Sequence, residues 1–317
     1  MKILVLGGFG FLGGRITQYF TDAGHNVFQG TSSKIKLVNS NVDGAKVVQI
    51  DWNNQEKLDF ICRDIDLIIH ASGMNSRDCI DDPIGALRVN AVSTASILQS
   101  AIKMHVKRFI YISTIHVYKD SLVGNISELD SVTNAHPYAT SNRAGEDTVM
   151  WAQKNKFIDG IVVRVSNGFG APKSKNANCW MLLVNDLCSQ AVKNKKLVLN
   201  SNGLEIRNFI PISEICNAID FLVCQIPFEL RVGNDGPINI GSKTSISVLD
   251  MAKLIQSRCG PILGYTPELL VKEKKNSDKI SYLNFKTNRL EALGYTYKHT
   301  LVNELDKLLI YCANNFK

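Results

Sequence analysis

Four glycines near the start of the chain, at positions 7, 8, 10 and 13, are spaced for phosphate chemistry. They follow a short apolar run, Ile3-Leu-Val-Leu6, and precede a helical pattern carried by Ile16, Tyr19, Phe20 and Ala23. A strand that turns straight into a helix leaves backbone N–H groups at the helix N-terminus, an arrangement that suits a pyrophosphate. Gly7 and Gly8 permit the tight turn. Gly10 lets phosphates approach the backbone beside Phe11 and Leu12, and Gly13 lets helix and strand pack closely. The bare motif is weak, but here it sits between the right elements. A Gly-rich structural turn is the alternative.

A second set of candidates lies further on, in Tyr111-Ile-Ser-Thr-Ile-His-Val-Tyr118 and His136-Pro-Tyr-Ala-Thr-Ser-Asn-Arg-Ala-Gly-Glu146. A hydroxyl at a strand's end (Thr114) and a tyrosine on the following helix (Tyr138) can converge on one substrate oxygen. The hydroxyl holds the oxygen while the phenol exchanges its proton. Taken singly, threonines and tyrosines at such places are ordinary structural residues.

These side chains need a scaffold, and alternating strand and helix signals supply one. Strands are expected at Val27–Gln29, Ala45–Ile50, Asp66–His70, Arg108–Ile112 and Gly160–Val165. Helices are expected over about 54–63, from Pro83 to about Met104, and over about 138–154. The second of these places Leu87, Ile97, Leu98, Ala101 and Ile102 on its apolar side. The rhythm predicts an α/β fold, a doubly wound parallel sheet of Rossmann type with one ligand crevice at the strands' C-terminal ends.

After Asn167 the rhythm breaks. A helix over about 179–193, a strand Asn208–Ile212 and helices Glu214–Val223 and Val248–Arg258 stand among irregular segments. The expected division is a dinucleotide-binding domain at 1–167, with a returning strand–helix piece at about 206–225. Segments 168–205 and 226–317 form a smaller, mixed substrate-binding lobe.

Bulk properties exclude other classes. The formal charge of +7 is diffuse, with Lys193-Asn-Lys-Lys196 and Lys272-Glu-Lys-Lys275 the only short clusters. Most such clusters are solvated surface. No basic stripe with interleaved aromatics suggests nucleic-acid binding. The eight cysteines lie singly, without CxxC pairs or zinc spacing, so they read as reduced, buried thiols of a cytoplasmic protein and no metal site is expected. No signal peptide is apparent, and no apolar stretch is long enough for a membrane span.

Ordered motifs over nearly the whole length resemble the extended short-chain dehydrogenase/reductases, in the nucleotide-sugar epimerase/dehydratase branch. They are the Gly7/Gly10/Gly13 turn, Asp51 after strand three, His70-Ala-Ser-Gly73, Arg88-Val-Asn-Ala91, the Ser-Thr…Val-Tyr segment at 113–118 and Pro-Tyr138. Arg164-Val-Ser-Asn167, Arg207-Asn-Phe-Ile-Pro-Ile212 and Leu293-Gly-Tyr295 complete the set. The resemblance implies that Asp51 and Trp52 lie beside the adenine. Ala71, Ser72 and Gly73 would run under the cofactor's ribose and pyrophosphate, and Asn90 would support the sheet ends near the nicotinamide or touch the cofactor. Thr114 and Tyr138 would be the catalytic pair. Asn167 and Arg207 would meet the substrate's diphosphate, a surface ion pair being the alternative for Arg207 and a loop-capping amide for Asn167. Relatives pair as homodimers through the helices 83–104 and 138–154.

Three departures from the family pattern carry information. Asn142 stands where the family's Tyr-x-x-x-Lys motif has lysine; it can bond a ribose hydroxyl but brings no charge. Arg143, the nearest cation, is rotated about 100° away along the helix and is expected to pair with Glu146 or face solvent. Ile115 and His116 replace the Asp-Glu pair of the family's dehydratases, which argues against 4,6-dehydratase activity. His116 is a substitute acid/base near neutral pH, or a structural loop residue. Finally, the second strand ends in Gly30-Thr-Ser-Ser-Lys34 without an aspartate. Thr31, Ser32, Ser33 and Lys34 can accept a 2′-phosphate, so the cofactor reading leans to NADP over NAD, a plain polar turn being the alternative.

The expectation is an NAD(P)-dependent oxidoreductase or epimerase moving a hydride at a carbon of a nucleotide-activated sugar. It would act as dehydrogenase, ketoreductase or 4-epimerase, with surface-polysaccharide synthesis the usual setting for the family. The alternatives are a reductase of a small non-nucleotide substrate and a catalytically silent NAD(P)-binding protein.

Overall fold

The computed structural model describes residues 1–33, 40–227, 236–272 and 282–316. β1 (Lys2–Leu6) runs into α1 (Phe11–Asp22), followed by β2 (Asn26–Thr31), β3 (Lys46–Gln49), α2 (Gln55–Cys62) and β4 (Leu67–His70). Next come α3 (Ser76–Asp81), α4 (Pro83–Leu87), α5 (Ser93–Lys103), β5 (Arg108–Thr114) and β6 (Gly124–Ile126). α6 (Pro137–Lys154), β7 (Asp159–Val165), β8 (Asn167–Phe169), α7 (Leu183–Asn194), β9 (Lys196–Leu199), β10 (Ile206–Arg207), β11 (Phe209–Pro211) and α8 (Ile212–Asp220) follow. The described chain ends with β12 (Ile238–Ile240), β13 (Ile246–Ser247), α9 (Val248–Leu263), β14 (Glu268–Val271), β15 (Leu283–Phe285), α10 (Asn288–Ala292) and α11 (Leu301–Asn315).

Seven strands form one parallel sheet in the order β3-β2-β1-β4-β5-β7-β12. The order reverses between β1 and β4, which opens a crevice beyond their C-terminal ends. Helices cover both faces, so β1 is buried on both: Ile3 and Val5 join one core, Leu4 and Leu6 the other. The first core takes Ile16 and Phe20 of α1 and Ile215 and Ile219 of α8. The second takes Leu58 of α2, Ile97 of α5 and Val149 of α6. A further core joins α7, α9 and α11 around Leu187, Met251 and Leu308.

The structure departs from the expected elements in a few places. The helix expected from Pro83 to Met104 is divided by a π-helical turn at Arg88–Val92, where the Ser93 hydroxyl donates to the Arg88 carbonyl at 2.9 Å. Such turns take the place of regular helix where a side chain is needed elsewhere, and here Asn90 points into the protein. Leu87 does not join the core as its spacing suggests but is 48% exposed, and Ile84 and Val92 nearby are exposed too. α3 was not foreseen; Asn75 caps it by accepting from Arg77 and Asp78. α7 starts at Leu183 rather than near 179, and α8 begins right after Pro211.

Seven cysteines are buried thiols, but Cys224 is exposed, which the expectation of buried thiols did not foresee. In the first basic cluster, Lys193 lies over Phe316, Lys195 over Tyr265, and Lys196 pairs with Glu268. Among the described residues no helix is long and apolar enough to cross a membrane.

Candidate active site

The β1–α1 turn is built for close approach. Gly7 has φ +71°, and a Cβ there would lie 2.7 Å from the Ala71 carbonyl oxygen. A Cβ on Gly13 would lie 2.1 Å from the Gly7 carbonyl oxygen. The end of β4 is thus packed against the turn with no room for side chains. Gly10 caps α1 without a side-chain bond, and the first turn of α1 carries no acid. Its leading N–H groups therefore remain available to an anion. Gly10, Phe11 and Leu12 line a cleft of about 610 Å³, joined from β4 by Ala71, Ser72 and Gly73. A dinucleotide's pyrophosphate fits this cradle.

The same cleft collects Thr114, His116, Tyr138, Asn142, Asn167 and Arg207. Thr114 ends β5 opposite Val165, and its hydroxyl accepts the His116 N–H at 3.2 Å, turning the chain. Tyr138 stands on the first turn of α6, which Pro137 starts and His136 caps, the His136 ring accepting the Tyr138 N–H at 3.1 Å. Burial pushes the Tyr138 phenol above its ordinary value, a side-chain hydrogen bond with Thr114 opposes that, and the Cys79 thiol adds to the rise. Thr114 and Tyr138 thus face one cleft.

Asn142 reaches the cleft with its amide already tied on both sides. Its Nδ2 donates to the Tyr138 carbonyl at 2.8 Å, and its Oδ1 accepts from the Tyr111 hydroxyl at 3.2 Å. Arg143 does not pair with Glu146: it reaches Asp147 at 3.8 Å and donates to the Val132 carbonyl. Glu146 instead forms a buried two-point ion pair with Arg164, at 2.7 and 3.0 Å. The rotation along α6 places Glu146 inward and Arg143 outward. The His116 ring lies 6.3 Å from that of Tyr138, centroid to centroid. Burial holds its pKa below the ordinary histidine value, helped by Arg207 and His136 and opposed by Glu205. That shift favours the uncharged imidazole, so His116 does not supply the charge of the missing lysine.

Arg207 and Asn167 both line the cleft while bonded to neighbours. Arg207 meets Glu205 through Nε–Oε1 at 3.0 Å and Nη2–Oε2 at 2.9 Å. Asn167 donates to the Asn208 carbonyl at 3.0 Å.

A model of the NAD dependent epimerase/dehydratase family matches residues 3–241. The chain belongs to that family. It is 21% identical to a putative UDP-glucose 4-epimerase of Methanocaldococcus jannaschii over 318 residues, 99% of each chain. It is 28% identical to a dTDP-D-glucose 4,6-dehydratase of Dictyostelium discoideum over 80% of its own length, and spans only 61% of that relative. The UDP-N-acetylglucosamine 4-epimerase of Methanobrevibacter ruminantium M1, in complex with UDP-N-acetylmuramic acid, has a TM-score of 0.80 at 19% identity, over 98% of this chain and 97% of the other. The UDP-glucuronic acid 4-epimerase of Bacillus cereus, in complex with UDP-glucuronic acid and NAD, scores 0.77 at 21%, over 99% of each. At these identities the solved structures establish the fold.

Several residues expected to bind cofactor stand outside the cleft of this epimerase/dehydratase family member. The Thr31 hydroxyl accepts the Ser33 N–H at 3.1 Å, closing a turn that includes Ser32; Lys34 lies outside the described residues. Asp51 pairs with Lys57 at 2.9 Å, and that bond holds its carboxyl below the usual range. Trp52 stacks on His70. Asn90 is fully buried behind the cleft, accepting the Met74 N–H at 2.8 Å and donating to Ser141 at 3.0 Å. It holds the loop that lines the cleft instead of lining it.

Other lining residues were missed. The hydroxyls of Ser113 and Ser166 are buried in the cleft wall without a protein partner. Ser113 stands beside Thr114, and Ser166 within the Arg164–Asn167 motif, but nothing in the sequence marks their burial. Asn178, Met181 and Leu182 close the side toward α7, and Glu205 stands beside Arg207. Their contribution depends on long-range folding.

Proposed function

We propose that this enzyme interconverts nucleotide-activated sugars by hydride transfer at a sugar carbon, as dehydrogenase, ketoreductase or 4-epimerase. One observation carries the reading: Thr114 and Tyr138 line the same cleft as the glycine turn. When bound, the nicotinamide cofactor supplies hydride exchange. Thr114 holds the reacting sugar oxygen, and Tyr138 gives or takes its proton through the phenol oxygen. Arg207 and Asn167 receive the diphosphate, and the backbone at Gly10–Leu12 receives the cofactor's pyrophosphate.

The cleft's carboxylates argue against 4,6-dehydration, even though dehydratases occur among the relatives. Asp78 and Glu205 are the acids among the described lining residues. Asp78 accepts from the Asn75 amide at 2.6 Å, and neither acid lies in the segment just after Thr114 where the family's dehydratases carry their Asp-Glu pair. Behind Thr114, the fully buried Ile115 cannot transfer a proton.

Cofactor preference is read from the turn after β2. Its described residues Thr31–Ser33 bring no carboxylate to repel a 2′-phosphate, which supports NADP, whereas the Bacillus cereus relative is complexed with NAD. We also read the protein as a homodimer, on the exposed apolar residues Ile84, Leu87 and Val92 and on Trp151 of α6.

The second reading, a catalytically silent cofactor-binding protein, is favoured by Asn142, because Tyr138 has no cation one turn on. Purified protein with NAD or NADP and a panel of UDP-, GDP-, CDP- and dTDP-sugars decides between them. Substrate-dependent change in nicotinamide absorbance supports the enzyme. Tight cofactor binding with no turnover on any sugar supports the silent protein.

A further inference from the structure

The wall of the cleft at β10 carries a cation that already has an anion. The Arg207 guanidinium and the Glu205 carboxylate meet at two points, 3.0 and 2.9 Å apart. A carboxylate and a phosphoryl group offer a guanidinium the same pair of oxygens, so Glu205 occupies the fork that an anionic ligand would use. The backbone beneath is pinned. The Glu205 carbonyl accepts the Val248 N–H at 2.9 Å, and Ile206 and Arg207 pair with Ser247 and Ile246 of β13. The Glu205 side chain is 61% exposed and that of Arg207 36% exposed, so the carboxylate can swing into solvent without moving the strand.

Exposed ion pairs of this kind are weak and screened by salt. A diphosphate carries more charge, accepts the same two bonds, and outcompetes a single carboxylate for them. We infer that Glu205 is a resident anion for Arg207, held in the fork until a substrate diphosphate displaces it, and that its charge sets how selectively the cleft admits diphosphate ligands. The inference rests on the nucleotide-sugar reading above and assigns Glu205 a part in it. Neutral ligands gain nothing from displacing the carboxylate. Anionic ones must overcome it, and remain close to it afterwards.

Calorimetric titration of wild type and Glu205→Gln with UDP, GDP, CDP and dTDP, and with the matching nucleosides, tests this. Removing the carboxylate's charge should tighten the bound diphosphates about three- to tenfold at low salt, leave the nucleosides unchanged, and lose its effect as salt rises. A structural loss cannot tighten binding, so the sign is diagnostic. Diphosphate affinity that is unchanged or weaker in Glu205→Gln, or an equal gain for the nucleosides, overturns the inference while leaving the nucleotide-sugar reading in place. If none of the four diphosphates binds either protein, while NAD binds both, the nucleotide-sugar reading falls and the role of Glu205 falls with it.

Discussion

The Asn142 amide donates to the Tyr138 backbone carbonyl at 2.8 Å, one helical turn back along α6. The position from which a lysine would put charge beside the phenol is thus spent on the helix itself, and Tyr111 holds the other end of the amide. With burial raising the Tyr138 phenol and holding His116 below the ordinary histidine value, no cation among the described residues offsets the rise. The neutral phenol is favoured in the folded protein until pH rises above its ordinary value near 10.

Oxidation of a sugar alcohol should therefore keep accelerating into alkaline pH, by up to about tenfold per pH unit while the phenolate remains the minor form. Asn142→Lys should move that profile toward neutrality, since a nearby cation favours phenolate. Tyr138→Phe should abolish turnover and spare cofactor affinity. A Tyr138→Phe protein as active as wild type would remove the tyrosine from the mechanism.

Arg207→Ala should weaken nucleotide diphosphate binding by roughly tenfold to a hundredfold, the loss of a charge-assisted contact worth ~1.5–3 kcal/mol. NAD affinity should not change. Equal loss of both ligands would mean that the substitution disturbs the fold around β10 and that the contact is not specific.

The turn after β2 should accept a 2′-phosphate, so NADPH should bind at least as tightly as NADH. Thr31→Asp should penalise NADPH by about 1–3 kcal/mol through like-charge repulsion at a partly buried site. Calorimetry that finds a strong native preference for NADH refutes the NADP reading.

Gly13→Ala should be destabilising by more than ~1 kcal/mol, because its Cβ would meet the Gly7 carbonyl at 2.1 Å and the backbone must shift. Thermal melting measures the cost, and NAD titration should show the pyrophosphate cradle damaged. A variant with wild-type melting temperature and NAD affinity would show that the turn does not need this close packing.

The exposed residues Ile84, Leu87, Val92 and Trp151 should become buried in a homodimer. Light scattering at micromolar concentration with cofactor present should give a dimer, and Leu87→Glu should shift it toward monomer. A wild-type monomer under those conditions excludes this interface.

The sequence by itself determined the parallel sheet and the β1–α1 turn, and it put Thr114 and Tyr138 forward as candidates for one site. These are local facts: a short continuous apolar run, glycines at fixed offsets, and a hydroxyl at a strand's end are read within a few residues. Leu87 shows the limit, because its helical spacing suits a core face and an interface face equally. Only the tertiary structure decided which partner each polar group takes. Arg143 and Glu146 were within reach on one helix, yet β7 carries Arg164 to Glu146 from eighteen residues away. Asn142 is bound by Tyr111 from β5, and the segment that carries Glu205 and Arg207 is pinned by β13 and Val248. The unpartnered hydroxyls of Ser113 and Ser166 are likewise a product of the folded wall. Burial and hydrogen-bond competition are set by elements distant in the chain, so the charge at the site belongs to the fold and not to any motif.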